Sequence, residues 1–293
     1  MVYIILLNYN GVKDTIDCIS SIKKNNYNSY RIVVVDNAST DNSLEILRKE
    51  KDVYDFDLVI SNKNNGFSAG NNLGIQFALK NKAEYILLLN NDTIVEKDFL
   101  INLLETEKKY NNDIVVTSKI LYFASKNMIW YGGGSFNKIT SRVKHIGINK
   151  IDDKINNIEK EVTFISGCCM LIPSKILLKV GLFEEKYFLY CEDTDYCCRL
   201  MKNNIKMIYN PKSIIYHKVN GSTKKISNMI TYYNVRNKKL IIKLYINGFK
   251  KFFANIYFYM EILKRIILNE YDWKICLKAL QDYKVNKFGK INN

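Results

Sequence analysis

Short apolar runs alternate with amphipathic stretches over the first 120 residues. The apolar runs predict strands at 2–7, 31–35, 57–60, 85–89 and 114–116, and the stretches between them predict helices at 12–24, 43–51, 70–80 and 97–110. Continuous apolar strands separated by helices favour a mostly parallel sheet that is covered by helices on both faces. The pattern therefore predicts an α/β fold.

The remainder of the chain has a less regular pattern. Residues 119–160 contain scattered turns, a strand is predicted at 162–172, and a helix opens near Pro173. An acidic cluster at 192–195 begins another helix, and the pattern from Ser227 onward is helical, basic and rich in Tyr, Phe and Ile. We expect one α/β domain over 1–225, which divides near residue 118, and an amphipathic helical region over 226–293.

The predicted strands end in unusual polar segments. These read Asn8-Tyr9-Asn10, Asp36-Asn37-Ala38-Ser39, a stretch from Asn64 to Asn72, and Asn90-Asn91-Asp92. Ligands of open α/β sheets bind outside the carboxyl ends of the strands. The sequence thus predicts a ligand site at this edge of the sheet.

Two carboxylates at this edge are candidates for ligand binding. Asp92 follows an apolar run, and there it could hold Mg²⁺ or Mn²⁺ against a diphosphate, because these ions prefer oxygen ligands and neutralise the charge of the leaving group. An Asx turn that leads into the next helix is the alternative for Asp92. The same alternative applies to Asp36, with Ser39 and Asp41 as possible helix caps.

The acidic cluster combines two kinds of carboxylate. Asp195 and Arg199 are an i,i+4 pair on one helical face, which predicts a structural brace. Asp193 projects about 200° away around a helix of 3.6 residues per turn, so it can face a cleft. A free carboxylate beside a sugar hydroxyl is what a direct displacement at an anomeric carbon needs as its general base. Stabilisation of the helix N-terminus by the charges of Glu192, Asp193 and Asp195 is the alternative.

His217 is one of two histidines and follows an apolar stretch. A neutral imidazole is a common metal ligand, so His217 could complete a site begun by Asp92. A structural role at a strand end is the alternative.

Most of the net charge of +15 lies in the C-terminal region. From Lys224 onward there are 15 Lys or Arg and four Asp or Glu. Residues 240–268 alternate apolar and aromatic residues with lysines, which is typical of helices that lie on an anionic membrane surface. No nucleic-acid-binding motif is recognisable, so nucleic acid is not the expected partner. Packing on the first domain and a homodimer contact are the alternatives.

The cysteines and the first apolar run indicate the cellular compartment of the protein. Seven cysteines occur without a C-x-x-C pair, which argues against structural zinc. An odd number of cysteines without a secretion signal predicts reduced, buried thiols. The first apolar run lacks a basic leader and a cleavage site, so it is predicted to be a buried strand. We expect a cytoplasmic protein that is peripherally associated with the inner face of the membrane.

Seven motifs follow one another in a characteristic order: LNYNG, VVVDNASTDNS, NNGFSAGNNLGI, LLLNNDT, FISGCCMLI, FLYCEDTDYCCR and HKVNGS. Together they resemble the inverting glycosyltransferases of family 2, which have the GT-A fold, and within that family the rhamnosyltransferase-like branch. The resemblance covers residues 2–236. It implies a nucleotide-binding half over 1–118 and an acceptor-binding half over 119–225.

The resemblance implies roles for the residues that match these motifs. Binding or close approach of the nucleotide is implied for Tyr9, Asp36, Asn37, Asn65, Gly66, Gly70, Asn72 and Asn91. A divalent metal, Mn²⁺ or Mg²⁺, is implied at Asp92 and His217. Catalysis is implied for Asp193 as the base, within a motif that includes Glu192, Asp195 and Arg199. Contact with the acceptor or sugar is implied for Gly167 and Trp130, and contact with phosphate for Arg236.

The implied reaction moves a sugar, rhamnose being one candidate, from a dTDP- or UDP-linked donor to a glycan or lipid-linked acceptor in surface polysaccharide synthesis. One position departs from the family's D-x-D motif, because Asn90 replaces the first carboxylate. The metal would therefore have one fewer charged ligand.

Two alternative functions are a non-catalytic or differently specific relative and a sugar nucleotidyltransferase. The first loop lacks the basic glycine-rich sequence that a sugar nucleotidyltransferase needs.

Overall fold

The computed structural model describes residues 1–153, 157–219 and 227–291. The end of the HKVNGS motif and the predicted domain boundary at 225/226 lie outside the described residues. Four parallel strands form the first part of the sheet, in the order β3-β2-β1-β4. They are β1 (Val2–Asn8), β2 (Tyr30–Asp36), β3 (Asp57–Ile60) and β4 (Tyr85–Asn90). The strands predicted at 2–7, 31–35, 57–60 and 85–89 are confirmed to within one residue at their ends.

Helices α1 (Val12–Ile22), α2 (Ser43–Tyr54) and α3 (Gly66–Lys80) connect these strands. Thr15 of α1 donates to Oδ1 of Asn8 on β1, whereas a Cβ at Gly74 of α3 would lie 2.5 Å from Cγ2 of Ile5. Even and odd residues of a strand point to opposite faces of a sheet. Helices α1 and α3 therefore cover opposite faces of β1, as predicted.

The sheet continues beyond β4 in the order β11-β6-β12-β10. This half contains β5 (Thr93–Val95), α4 (Phe99–Lys109), β6 (Ile114–Tyr122), β7 (Ile129–Tyr131), β8 (Gly134–Asn137), β9 (Arg142–His145), β10 (Lys160–Val162), β11 (Cys169–Pro173), α5 (Ser174–Val180), α6 (Glu192–Lys202) and β12 (Lys206–His217). β6 and β12 are parallel, and β11 runs antiparallel to both β4 and β6. The sheet is therefore mixed and mostly parallel.

The predicted strand at 162–172 is wrong, because this segment forms two separate strands. β10 pairs with β12 at one edge of the sheet, whereas β11 lies between β4 and β6. Between them, Phe164 makes an isolated β-bridge with Gly134, and Phe164 and Ile165 are both buried in the core. The Ile165 amide lies 3.2 Å from Sγ of Cys197, so the apolar character of Ile165 reflects packing against α6.

Three helices follow the sheet: α7 (Asn228–Tyr245), α8 (Gly248–Ile267) and α9 (Trp273–Lys284). α7 contacts α6, α8 and α9, and its residues Leu240, Ile241 and Ile242 are buried. The segment 240–268 is therefore not one surface helix, because its first part belongs to the core. Among the described residues, no helix has the length and apolar character that a membrane span requires. The seven cysteines, all of which are described, are free; six are buried and Cys191 is half-buried.

Candidate active site

A small cleft of about 140 Å³ opens at the carboxyl ends of β1 and β4. Its lining residues come from β1, α3, the end of β4 with the segment that follows it, and the loop before β11: Leu7, Phe67, Asn71, Leu89, Asn90, Asn91, Asp92 and Gly167. The polar segment predicted to bind a ligand after strand four thus lies in this cleft. Asn71 and Phe67 were not predicted as site residues, although they belong to the NNGFSAGNNLGI motif.

Asp92 and His217 lie side by side because β5 pairs with the end of β12, where Thr93 is opposite His217. Nε2 of His217 is 3.1 Å from Oδ1 of Asp92, and this buried oxygen has no other side-chain or backbone partner among the described residues. Within the described part of the chain, no cluster of three or more His, Cys, Asp or Glu forms a metal site. A carboxylate oxygen and an imidazole nitrogen that converge in this way fit a Mg²⁺ or Mn²⁺ ion that takes its other ligands from water and substrate phosphate.

Asn91 and Asp36 are engaged by the protein itself. Nδ2 of Asn91 donates to Oγ1 of Thr15 at 2.9 Å, which ties the end of β4 to α1. Asp36 is buried, and its Oδ1 accepts from Nδ2 of Asn8 at 2.9 Å and from Oγ of Ser39 at 2.6 Å. The carboxylate of Asp36 therefore shapes the loop after β2. Ser39 was predicted as a helix cap, but its amide and hydroxyl bond Asp36, and α2 begins after Asn42.

Asn37 and Tyr9 keep groups that a ligand can use. Nδ2 of Asn37 donates to Oδ1 of Asn64 and to the carbonyl of Gly66, both at 3.2 Å, whereas its buried Oδ1 has no hydrogen-bond partner in the part of the chain that the structure describes. Tyr9 is exposed at the end of β1. An unpartnered amide oxygen is a ready acceptor for a donor group such as a base N–H.

Three residues predicted to lie close to the nucleotide pack against the protein instead. Gly66 has φ +89°, and a Cβ there would lie 1.9 Å from the carbonyl oxygen of Phe188. A Cβ at Gly70 would lie 2.5 Å from Cδ1 of Leu7. Asn72 is buried, with Nδ2 and Oδ1 bonded to the backbone of Phe183. These contacts pack α3 against β1 and segment 183–188. The predicted role of the three residues in close approach to the nucleotide is therefore corrected to a packing role. Asn65, beside Gly66, is exposed.

Asp193 faces the loop that carries Gly167. Oδ2 of Asp193 lies 3.4 Å from the Gly167 amide, and Oδ1 accepts from the Thr194 amide at 2.7 Å. Burial raises the pKa of Asp193 above that of an ordinary aspartic acid, although the two backbone amides oppose the shift. Burial and the charge of Asp193 also raise the pKa of the buried Glu192. Gly167, whose amide contacts Asp193, lines the cleft together with Asp92, so the Asp193 carboxylate lies next to a lining residue of the cleft.

Asp195 points away from the cleft and braces α6. Its Oδ2 accepts from Nε of Arg199 at 2.9 Å, so the predicted i,i+4 pair forms. Its Oδ1 accepts from the hydroxyl of Tyr245 at the end of α7, at 2.6 Å. The sequence pattern did not indicate this second partner, because Tyr245 lies 50 residues away along the chain.

Trp130 lies between the two histidines. Its ring centroid is 4.7 Å from that of His217 and 4.8 Å from that of His145, with edge-to-face geometry in both cases. Burial lowers the pKa of His145, and its Nδ1 is 3.3 Å from the carbonyl of Trp130. The structure therefore places Trp130 beside the candidate metal ligand. His145 was missed, because nothing in its local pattern distinguishes it.

Arg236 is not at the cleft, which corrects its predicted contact with phosphate. Its side chain is 1% exposed and donates to the carbonyls of Lys186 and Gly289. The guanidinium also lies over the rings of Tyr232 and Tyr233, at 5.1 Å from each centroid. A buried guanidinium with these partners is a structural group.

Comparison with known proteins identifies the family. Residues 3–181 match the model of glycosyl transferase family 2. The chain belongs to this family. The low-salt glycan biosynthesis hexosyltransferase Agl10 of Haloferax volcanii is 27% identical over 70% of this chain and 62% of its own length. The dTDP-rhamnosyl transferase RfbF of Shigella flexneri is 22% identical over 83% of this chain and 80% of its own length.

A solved structure shows the same fold. GalNAc-T7, crystallised with UDP, GalNAc and Mn²⁺, superimposes with a TM-score of 0.67 and 15% identity over 97% of this chain. This chain covers 55% of the length of that protein, and the match to Agl10 covers less than two thirds of Agl10. The predicted GT-A fold is confirmed by this likeness.

Proposed function

We propose that this protein is an inverting glycosyltransferase that moves a sugar from a nucleotide diphosphate to a hydroxyl of a glycan or lipid-linked acceptor in surface polysaccharide synthesis. The observation that carries the proposal is a cleft lined by Asp92, whose carboxylate converges with His217, and by Gly167, whose amide lies beside the half-buried Asp193 carboxylate with its raised pKa. The names of the Shigella and Haloferax relatives support a deoxyhexosyl or hexosyl donor.

In the proposed reaction, Asp193 removes the proton of the acceptor hydroxyl as its oxygen attacks the anomeric carbon. The new glycosidic bond forms while the bond from that carbon to the nucleotide diphosphate breaks, and configuration inverts. Asp92 and His217 would hold a divalent ion, which supplies positive charge to the leaving diphosphate. The Gly167 amide orients the Asp193 carboxylate, and burial keeps it basic enough to accept a proton near neutral pH.

The donor is proposed to be dTDP- or UDP-linked. Support comes from the buried, unpartnered Oδ1 of Asn37, which can accept from the N3–H that uracil and thymine share, and from the exposed ring of Tyr9. The name of the Shigella relative specifies dTDP-rhamnose chemistry, and GalNAc-T7 was crystallised with UDP.

The test is a screen for hydrolysis and transfer with UDP-, dTDP- and GDP-sugars, followed by Asp193→Asn with the best donor. General-base catalysis is worth about 10²–10⁴ in rate, so transfer should fall by that factor while donor affinity stays within a few-fold. Asp52→Asn, on the exposed surface of α2, is the control. Near-normal turnover in Asp193→Asn would refute the assignment. Donor binding without turnover in the wild type would instead identify a non-catalytic relative.

We also propose that α8 places the enzyme on the inner, cytoplasmic face of an anionic membrane. One face of α8 carries exposed apolar side chains at helical spacing: Phe249, Phe252, Phe253, Ile256, Tyr259, Met260, Leu263 and Ile267. Lys250 and Lys264 lie exposed on the same helix. An amphipathic face bordered by lysines suits a headgroup region, where cations bind anionic lipid and apolar side chains reach the acyl boundary.

A further inference from the structure

Helix α7 contacts the segment that leads into α6. The carbonyls of Leu189 and Tyr190 both accept from Nδ2 of Asn237, at 2.9 and 2.8 Å. One turn of α7 earlier, the ring of Tyr233 stacks on Phe188 with centroids 5.2 Å apart. α7 therefore contacts three consecutive residues, the last of which, Tyr190, is the first residue of the left-handed turn that starts α6.

That turn has an unfavourable backbone conformation. Tyr190 has φ +66° and Cys191 has φ +71°, and neither is a glycine. Side chains with a Cβ rarely adopt this region, and two in succession persist only where surrounding contacts impose them. The two hydrogen bonds from Asn237 are contacts of this kind, since they fix the peptide groups on either side of Tyr190.

The side chain of Asn237 is specialised for this contact. It is 0% exposed, and while its amide nitrogen serves the two carbonyls, its Oδ1 accepts from Nε of Arg236 at 3.0 Å. An amide is the side chain of this size that offers two donors and an acceptor together. Aspartate would place an oxygen against two carbonyl oxygens, and leucine would leave both carbonyls without a donor.

We propose that Asn237 is a positioning residue that holds the Tyr190–Cys191 turn and thereby aims the Asp193 carboxylate at Gly167. The inference rests on the proposed function, in which Asp193 is the base. Asp193 is two residues beyond Cys191, in the first turn of α6, so the direction of its side chain follows from the path of the turn. The side-chain hydrogen bonds of Asn237 go to Leu189, Tyr190 and Arg236, none of which is proposed to bind the donor.

This arrangement predicts a loss of turnover without a loss of donor binding. A displacement of about 1 Å at a reacting group can cost on the order of 10²-fold in rate. We expect Asn237→Leu and Asn237→Asp to lower kcat by about 10- to 100-fold, with the donor KM unchanged within about twofold. Ile241→Val, a buried substitution one turn along the same helix, is the control for a general loss of packing.

A second readout does not depend on activity. Cys191 is the half-buried thiol within the turn, whereas the other six thiols are buried. Labelling with iodoacetamide, followed by peptide mass analysis, measures how often the turn opens. The wild type and Ile241→Val should label slowly at Cys191, and both Asn237 variants should label faster. Thermal unfolding verifies that all variants are folded; if Asn237→Asp fails to fold, Asn237→Leu gives the comparison.

The outcomes separate the two proposals. Faster labelling together with a lower kcat and an unchanged donor KM supports the positioning role. Unchanged labelling overturns it, and so does faster labelling with normal kcat, because the turn would then not aim the base. If the wild type transfers no sugar from any donor while the Asn237 variants still label faster, Asn237 does constrain the turn. The proposed function is then contradicted, and so is the proposal that Asn237 positions a catalytic base.

Discussion

Two aspartates on α6, two positions apart, have different environments. Asp193 is half-buried beside two backbone amides, and burial raises its pKa. Asp195 is buried between the guanidinium of Arg199 and the hydroxyl of Tyr245. An ion-paired carboxylate holds the helix, whereas one that lacks a cation can accept a proton. The helical spacing alone predicted that the two side chains diverge, because positions i and i+2 never share a face.

The environment of Asp193 predicts the pH dependence of transfer. The base acts when deprotonated, so activity is present above its pKa and is lost as pH falls through it. Because burial raises that pKa, the acidic limb of kcat should have a midpoint above the value of about 3.9 for a free aspartic acid. The measurement is kcat at saturating donor and acceptor between pH 4 and 8. A midpoint at or below the free value would contradict the raised pKa.

Glu107 on α4 predicts a pH effect on stability that is independent of the site. It is 0% exposed, neither carboxylate oxygen has a hydrogen-bond partner within residues 1–153, 157–219 and 227–291, and burial raises its pKa to about 9. The folded state keeps a proton that the unfolded chain releases near pH 4, so the free energy of unfolding should fall as pH rises from about 4 towards about 9. Glu107→Gln should remove this loss and raise stability at pH 8 by more than about 1 kcal/mol.

Urea unfolding at pH 5 and pH 8 measures the effect. Glu105→Gln, at an exposed position of the same helix, is the matched control and should follow the wild type at both values. Equal pH dependence in Glu107→Gln and wild type would show that the carboxyl ionises freely in the folded state. No sequence pattern indicated this residue, because charged residues in an amphipathic helix are expected at the surface.

At the level of elements, apolar runs located the parallel strands but not their full extent. The prediction ended β6 at 116, whereas the strand continues to Tyr122. The three residues after 116 are polar yet buried: Thr117 donates to the carbonyl of Cys169, Ser118 bonds to Ser213, and Lys119 pairs with Asp152. Partners contributed by distant segments make buried polar residues tolerable, and hydrophobicity along the chain carries no information about such partners.

The pairing of β5 with β12 predicts metal-dependent donor binding. Donor affinity should depend on Mn²⁺ or Mg²⁺, and Asp92→Ala should remove that dependence because it deletes the charged ligand. His217→Ala should weaken the dependence by a smaller amount. Calorimetric titration of the donor, with the metal and with a chelator, measures both effects. His145→Ala removes the other histidine beside Trp130 and should leave the dependence intact. If chelation has no effect in the wild type, a basic residue must neutralise the diphosphate.

For the whole molecule, the sequence predicted where the cleft lies but did not predict the packing contacts that support it. The motifs at the ends of β1, β2 and β4 meet as predicted, because carboxyl ends of parallel strands share one edge. Gly66 and Asn72 were predicted to serve the nucleotide, yet they join α3 to segment 183–188. Motif resemblance identifies positions that matter, but burial and hydrogen bonds decide whether such a position contacts a ligand or its own chain.

A test of the exposed face of α8 must separate contact with a membrane from contacts within the chain. Ending the chain near residue 239 would remove Tyr245, which bonds Asp195 on α6, so loss of vesicle binding could reflect a damaged fold. Substitution is sharper: Phe249→Ser combined with Phe253→Ser and Met260→Ser removes three exposed apolar side chains from one face. Leu178→Ser, at a 75% exposed position of α5, is the control.

Co-sedimentation with vesicles should show binding of the wild type and of Leu178→Ser to anionic but not to neutral lipid. Each lysine near the surface contributes about 1 kcal/mol, and salt screens this attraction over about 10 Å at 0.1 M, so binding should fall steeply as salt is added. The triple variant should bind much more weakly, because it keeps the lysines but loses the apolar insertion. The membrane proposal would be contradicted if the wild type did not bind anionic vesicles at low salt. If, in addition, the mass measured by sedimentation were half as large for the triple variant as for the wild type, this face would be a homodimer contact. The same apolar side chains would then be covered by a second copy of the chain.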